Sequence, residues 1–101
     1  MKRWINLGIS KVRYDDKGRK IVKAEVYELN NGNLATRRIW PRENLVDSAE
    51  LGLAIATIRT KAGYDFDILE AVEPVRLHGN VYLRVKGDEE PRDDLGELPP
   101  L

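Results

Sequence analysis

A chain of 101 residues, 42% hydrophobic and 34% charged, can build one small core under a highly charged surface but has no length for a second domain. It has no cysteine, which excludes a disulfide framework and thiolate metal sites, and no apolar run near the roughly 20 residues of a membrane-spanning helix. Formal charge is zero, yet residues 1–44 carry 11 Lys and Arg against 5 Asp and Glu, while residues 45–101 carry 6 against 12. That asymmetry suits either attraction between the folded halves or a basic face for a polyanion. The lack of staples, and an N-terminus that alternates after Lys2 and Arg3, predict a cytoplasmic protein without a signal peptide.

Trp4 to Tyr14 alternates with Ile5, Leu7 and Ile9 on one side, then slips phase at Val12 and Tyr14. A β-bulge at Ser10-Lys11 absorbs that slip. Asp15-Asp16-Lys17-Gly18 is a turn, and Lys20 to Leu29 a second strand with Val22, Ala24 and Val26 on one face. Asn30-Asn31-Gly32-Asn33 carries the Asn-Gly signature of a two-residue hairpin loop. Leu34 to Trp40 follows as a strand that Pro41 ends.

The spacing then predicts a helix over Val46 to Gly63. Asp47 and Glu50 read as a capping box, Leu51, Ile55, Ile58 and Ala62 as one apolar stripe, Gly52 as a weak interior point and Gly63 as the stop. Tyr64 to Leu77 returns to an extended pattern, with Tyr64, Phe66 and Ile68 on one side and a bend or edge at Pro74. His78-Gly79-Asn80 is a hairpin turn before the last strand, Val81 to Lys86, with Val81, Leu83 and Val85 inward. The expected fold is α+β: a β-β-β-α-β-β domain over residues 1–87, an antiparallel sheet of about five strands with one helix on one face. Residues 88–101 form an acidic, Pro-rich tail, either solvated or strapped down by Leu95, Leu98 and Leu101 with Pro99-Pro100 extended.

Several of these pieces occur together in a family of small bacterial and phage proteins of unknown function. They are Val12-Arg13, the acidic-Gly turn Asp15 to Gly18 with Ile21, the capped segment Asp47 to Ile58, Tyr64-Phe66, Tyr82-Leu83-Arg84 and the closing Leu95-Gly96-Glu97-Leu98-Pro99. The chain resembles that family from about Ile9 to Pro99. The resemblance implies a fold and no activity.

No constellation suits catalysis. His78 is the only histidine and sits at a turn tip without an orienting partner nearby in sequence. Ser10 and Ser48 have no adjacent histidine, and the dispersed glycines make no phosphate-cradling run. Asp65 and Asp67, on one strand face, are the single pair that could hold a divalent ion for a metal-dependent enzyme. Arg37-Arg38-Ile39-Trp40-Pro41-Arg42, with Lys20 and Lys23, could present cations and a stacking aromatic to nucleic acid. The leading expectation is a non-catalytic module without cofactor or metal that binds another protein or a second copy of itself. In that reading Leu95, Leu98, Pro99 and Pro100 are candidate partner contacts.

Overall fold

The computed structural model describes residues 5–30, 33–63, 65–85 and 90–101. Their order is β1 (Leu7–Tyr14), β2 (Ile21–Asn30), β3 (Asn33–Pro41), α1 (Arg42–Glu50), β4 (Ile55–Thr60), β5 (Phe66–Leu77) and β6 (Asn80–Arg84). The sheet has six strands, not about five, in the order β3-β2-β1-β4-β5-β6. All pairings are antiparallel except β1 with β4.

The expected helix is where sequence and structure part. Asp47 is not its cap but lies inside α1, four residues before the Leu51 amide that bonds its carbonyl. The helix buries Leu45, Ser48 and Ala49 at i, i+3 and i+4. It stops at Gly52, whose φ of 87° only glycine adopts at no cost. Gly52 N–H bonds the Ala49 carbonyl and Leu53 N–H the Ser48 carbonyl, the paired bonds of a Schellman motif. Leu51 is therefore 81% exposed, and Ile55 and Ile58 are buried on a strand. The run Ile55-Ala56-Thr57-Ile58-Arg59-Thr60 is rich in β-branched residues, which favour a strand over a helix. Gly63, the expected helix stop, belongs to the β4–β5 connection.

The bulge falls where the phase slip puts it: Ile9 pairs with Val26 and Lys11 with Glu25, leaving Ser10 as the extra residue. A second irregularity pairs Arg13 with Lys23 and Tyr14 with Ile21, leaving out Val22. Val22 is thus 47% exposed and Ile21, not Val22, joins Ala24 and Val26 in the core. Asn30 pairs with Asn33 as a two-residue loop requires; the tip itself, Asn31-Gly32, lies outside the described residues. So do Trp4, Tyr64 and Lys86. Ile68, expected inward with Phe66, does share its face, since Thr60 pairs with Phe66 and Ile58 with Ile68, but is 37% exposed; a bulge follows at Leu69, where Thr57 pairs with Glu70. Pro74 takes the expected edge position: the β4 ladder ends at Val72, and Pro74 pairs on one side only, with Leu83 of β6. His78 and Gly79 both have positive φ, as a tight hairpin loop between Leu77 and Asn80 demands.

The core lies between the inner sheet face and α1, and gathers Leu7, Ile9, Val12, Ile21, Ala24, Val26, Leu45, Ile55, Val72 and Leu83. The tail completes it: Leu95 is 1% exposed within that cluster, and Leu98 packs against it. Asp94 pairs with β6 and the residue after it, its N–H bonding the Leu83 carbonyl and its carbonyl accepting Val85 N–H, while Leu95 N–H donates to the Tyr14 hydroxyl on β1. Farther on, Val12 N–H bonds the Pro99 carbonyl and Leu101 N–H the Val12 carbonyl, so Pro99 to Leu101 run beside β1 beyond the point where β4 leaves it. Residues 90–101 form an ordered strap.

Asp93 shows that the sheet is curled. Its carboxylate accepts Ile21 N–H at 2.8 Å and Leu83 N–H at 2.9 Å. These belong to β2 and β6, four strand steps apart. In a flat sheet four steps span about 19 Å. Only a strongly curled sheet brings the start of β2 and the end of β6 to one side chain.

Candidate functional site

Cross-strand partners share a sheet face, so register sorts the side chains. On the inner face Trp40 pairs with Ala24 and Arg38 with buried Val26. Trp40 is half-buried against the core. Arg38 is bonded through Nε to Glu28, whose partner across β1 is Leu7. Arg42 has left the sheet for the first turn of α1. Its guanidinium grips Asp93 with two bonds, Nε to Oδ2 at 2.7 Å and Nη2 to Oδ1 at 3.0 Å, donates to the Val81 carbonyl, and lies 5.9 Å from the centre of the Tyr82 ring. The bonds to Asp93 hold its proton more firmly than usual. Arg38, Trp40 and Arg42 therefore face the interior side.

The outer face of β1–β3 carries the alternate residues. Arg13, Lys23 and Pro41 form one row, Lys11, Glu25 and Ile39 the next, and Gly8, Tyr27 and Arg37 the third. Lys11, Arg13, Arg37 and Ile39 are exposed; Lys23 and Tyr27 are half-buried. Lys20 is exposed in the turn before β2. So of the six cationic or aromatic residues singled out from sequence, only Lys23 and Arg37 share this face. Lys11 and Arg13 join them. The bulge at Ser10, legible in the sequence, turns Val12 and Tyr14 inward and so Lys11 and Arg13 outward; the strand pairing, with Val22 left out, sets which residues of β2 and β3 stand beside them.

Glu25 is the sole acid in those three rows, and it is 5% exposed. The bulge turns Ser10 toward it, and Ser10 Oγ donates to Oε1 at 2.6 Å while Arg37 Nε donates to Oε2 at 2.6 Å. Burial pushes the carboxyl up, but the Ser10 and Arg37 bonds and the charges of Arg37 and Lys11 outweigh it, and the group sits below its ordinary value. Glu25 stays ionised as a counter-charge, neutralising one of the four surrounding cations. Arg13 Nε donates to the Leu101 carbonyl at 3.0 Å. Lys11, Arg13 and Lys23 enter no ion pair among the described residues.

The remaining candidates are engaged otherwise. Asp67 lies 2.9 Å from Lys61 Nζ and 3.9 Å from Arg59 Nε, and Asp65 Oδ1 accepts the Phe66 amide ahead of β5. No group of three or more His, Cys, Asp or Glu among the described residues is placed to hold a metal ion. His78 is exposed at its hairpin. Buried Arg84 donates to the Arg92 carbonyl at 2.8 Å, so it pins the start of the strap. Of the tail residues, Leu95 and Leu98 face the core, and Pro99 and Pro100 lie along β1. Where β4 diverges from β1, an open cleft of 440 Å³ separates Ser10 and Lys11 from Ile58 to Thr60, with Leu98 and Pro99 as one wall. No helix among the described residues is long and apolar enough to cross a membrane.

Comparison with known families matches residues 8–99 to DUF3892, a protein family of unknown function. The chain belongs to that family, which spans the whole sheet, the helix and the strap up to Pro99. Neither the curated proteins nor the solved structures gave a match.

Proposed function

We propose that this protein is a non-catalytic binding module whose partner is another protein, engaged along the free edge of β3. The carrying observation is the contrast between the two edges of the sheet. The β6 edge is occupied by the chain's own strap, bonded through Asp94 to Leu83 and Val85. The β3 edge is nine residues long and mostly exposed. An edge strand offers alternate N–H and C=O groups to solvent, and a partner segment can add to them as a further strand. The strap itself illustrates that mode, since Pro99 to Leu101 add to β1 through two backbone bonds. The two buried carboxylates support the non-catalytic half of the reading. Glu25 is sealed by Ser10 and Arg37, and Asp93 by Arg42 and two amides.

Ala35 supplies the test. Thr36 pairs with Glu28 and Leu34 with Leu29, so Ala35 is the unpaired residue of a bulge on an edge strand. Proline is tolerated at such positions and blocks an incoming strand. Wild-type protein is expected to capture a partner from lysate that Ala35→Pro, with an unchanged thermal midpoint, does not capture. Equal capture by both proteins, or none by either, overturns the reading.

A further inference from the structure

We infer that the outer face of β1–β3 is a binding site for single-stranded nucleic acid, separate from the β3 edge. Four cations, Lys11, Arg13, Lys23 and Arg37, lie on three adjacent strands within three consecutive rows. Neighbouring strands stand about 4.8 Å apart and alternate residues of a strand about 7 Å apart, so the four occupy one continuous patch. The single acid among them, Glu25, is buried and spent on Ser10 and Arg37. It fixes Arg37 in place without reaching the surface to compete for a ligand. The patch therefore presents an excess of three positive charges on a chain whose net charge is zero.

Two features select the ligand. Tyr27 stands in the same row as Arg37, and Ile39 beside Lys11 and Glu25, so flat apolar surface is interleaved with the cations. A sheet face with an aromatic ring among cations can stack unpaired bases while the cations hold phosphates. Reading a duplex requires a helix or ribbon that enters a groove, and this face is the outside of a curled sheet whose helix lies on the other side. The inner-face cations do not contribute: Arg38 and Arg42 lie on the opposite side of the sheet, where they bond Glu28 and Asp93.

The experiment is fluorescence anisotropy on the full chain with four probes: a mixed-sequence single-stranded DNA, the same sequence as RNA, a duplex of equal length and poly-glutamate. Single strands are expected to bind at low salt, with log affinity falling against log salt at a slope near −2 for three phosphate contacts, about 0.7 each. Lys11→Ala and Lys23→Ala are each expected to flatten that slope by about 0.7. Tyr27→Phe is expected to retain binding and Tyr27→Ala to lose about tenfold. Arg76→Ala, a charge-matched change at a residue paired with Glu50 on the helix, is expected to leave binding unchanged. No binding of any single strand at low salt overturns the inference. So does equal binding of poly-glutamate with no loss in Tyr27→Ala, which assigns the patch to an acidic protein instead. Since Ala35→Pro leaves these cations in place, the two proposals fail separately.

Discussion

Arg37 and Arg38 are sequence neighbours with opposite surroundings. Arg38 lies on the helix side of the sheet and bonds a partly exposed Glu28, while Arg37 lies on the opposite face over a buried Glu25. The difference extends to the two sides of the β1–β3 half-sheet. Inside, side chains interlock: the strap, β2, β6 and α1 meet at Asp93, and among the described residues no buried side-chain polar atom lacks a partner. Outside, Lys11, Arg13 and Lys23 enter no ion pair among the described residues, and Arg13 bonds a main-chain oxygen of Leu101. The charges that tie elements together, Asp93, Arg42 and Arg84, are buried or half-buried and bonded, whereas Lys11 and Arg13 on the outer face are exposed.

That contrast breaks most visibly at Asp93. Asp93→Ala leaves the Arg42 guanidinium and the Ile21 and Leu83 amides unsatisfied and is expected to cost about 3–5 kcal/mol. Urea unfolding measures it, and a loss under 1 kcal/mol contradicts the role given to the strap. Leu95→Ala, which empties a fully buried position, is expected to cost about 2–5 kcal/mol by the same method.

Glu25→Gln is intermediate, about 1–2 kcal/mol at neutral pH, because its partner Arg37 can turn to solvent. This variant also sharpens the comparison through pH. The folded-state value of Glu25 lies below that of an unfolded glutamate, about 4.3. Its stabilising contribution is complete above that value and is lost as pH falls through the folded one. The wild-type stability curve should therefore drop more steeply in acid than that of Glu25→Gln, and parallel curves would refute the counter-charge role. The smallest effect is expected for Lys23→Ala, within about 0.5 kcal/mol in stability. A patch residue that matters for oligonucleotide binding and not for folding should behave in this way, and a larger thermal shift would place Lys23 with the architectural charges.

Local signals in the sequence carried much of this molecule. The Asp15–Gly18 and His78-Gly79 turns, the Asn30–Asn33 hairpin and the Ser10 bulge follow from backbone preferences and from the phase of apolar residues, which act over a few positions. The leucines of the tail marked a possible strap. The segment after Val46 resisted the same reading because Asp47-x-x-Glu50 imitates a helix start, and Leu51, Ile55 and Ile58 imitate a helical stripe. Long-range pairing decided it: Ile55 to Thr57 sit beside Leu7 to Ile9, and Ile55 to Thr60 opposite Phe66 to Val72.

For the candidate site, the sequence determined the residue types, a basic run with aromatics in the first half, and one small domain without cysteine. Only the tertiary structure decided which cations share a face. A strand alternates sides at each residue, so Arg37 and Arg38 could not both serve one surface, and the irregularities at Ser10 and Val22 reset which residues of β1 and β2 point outward. Asp93 gave no sequence signal, because its partners Ile21, Arg42 and Leu83 come from three elements that meet only when the sheet curls and the strap closes over it.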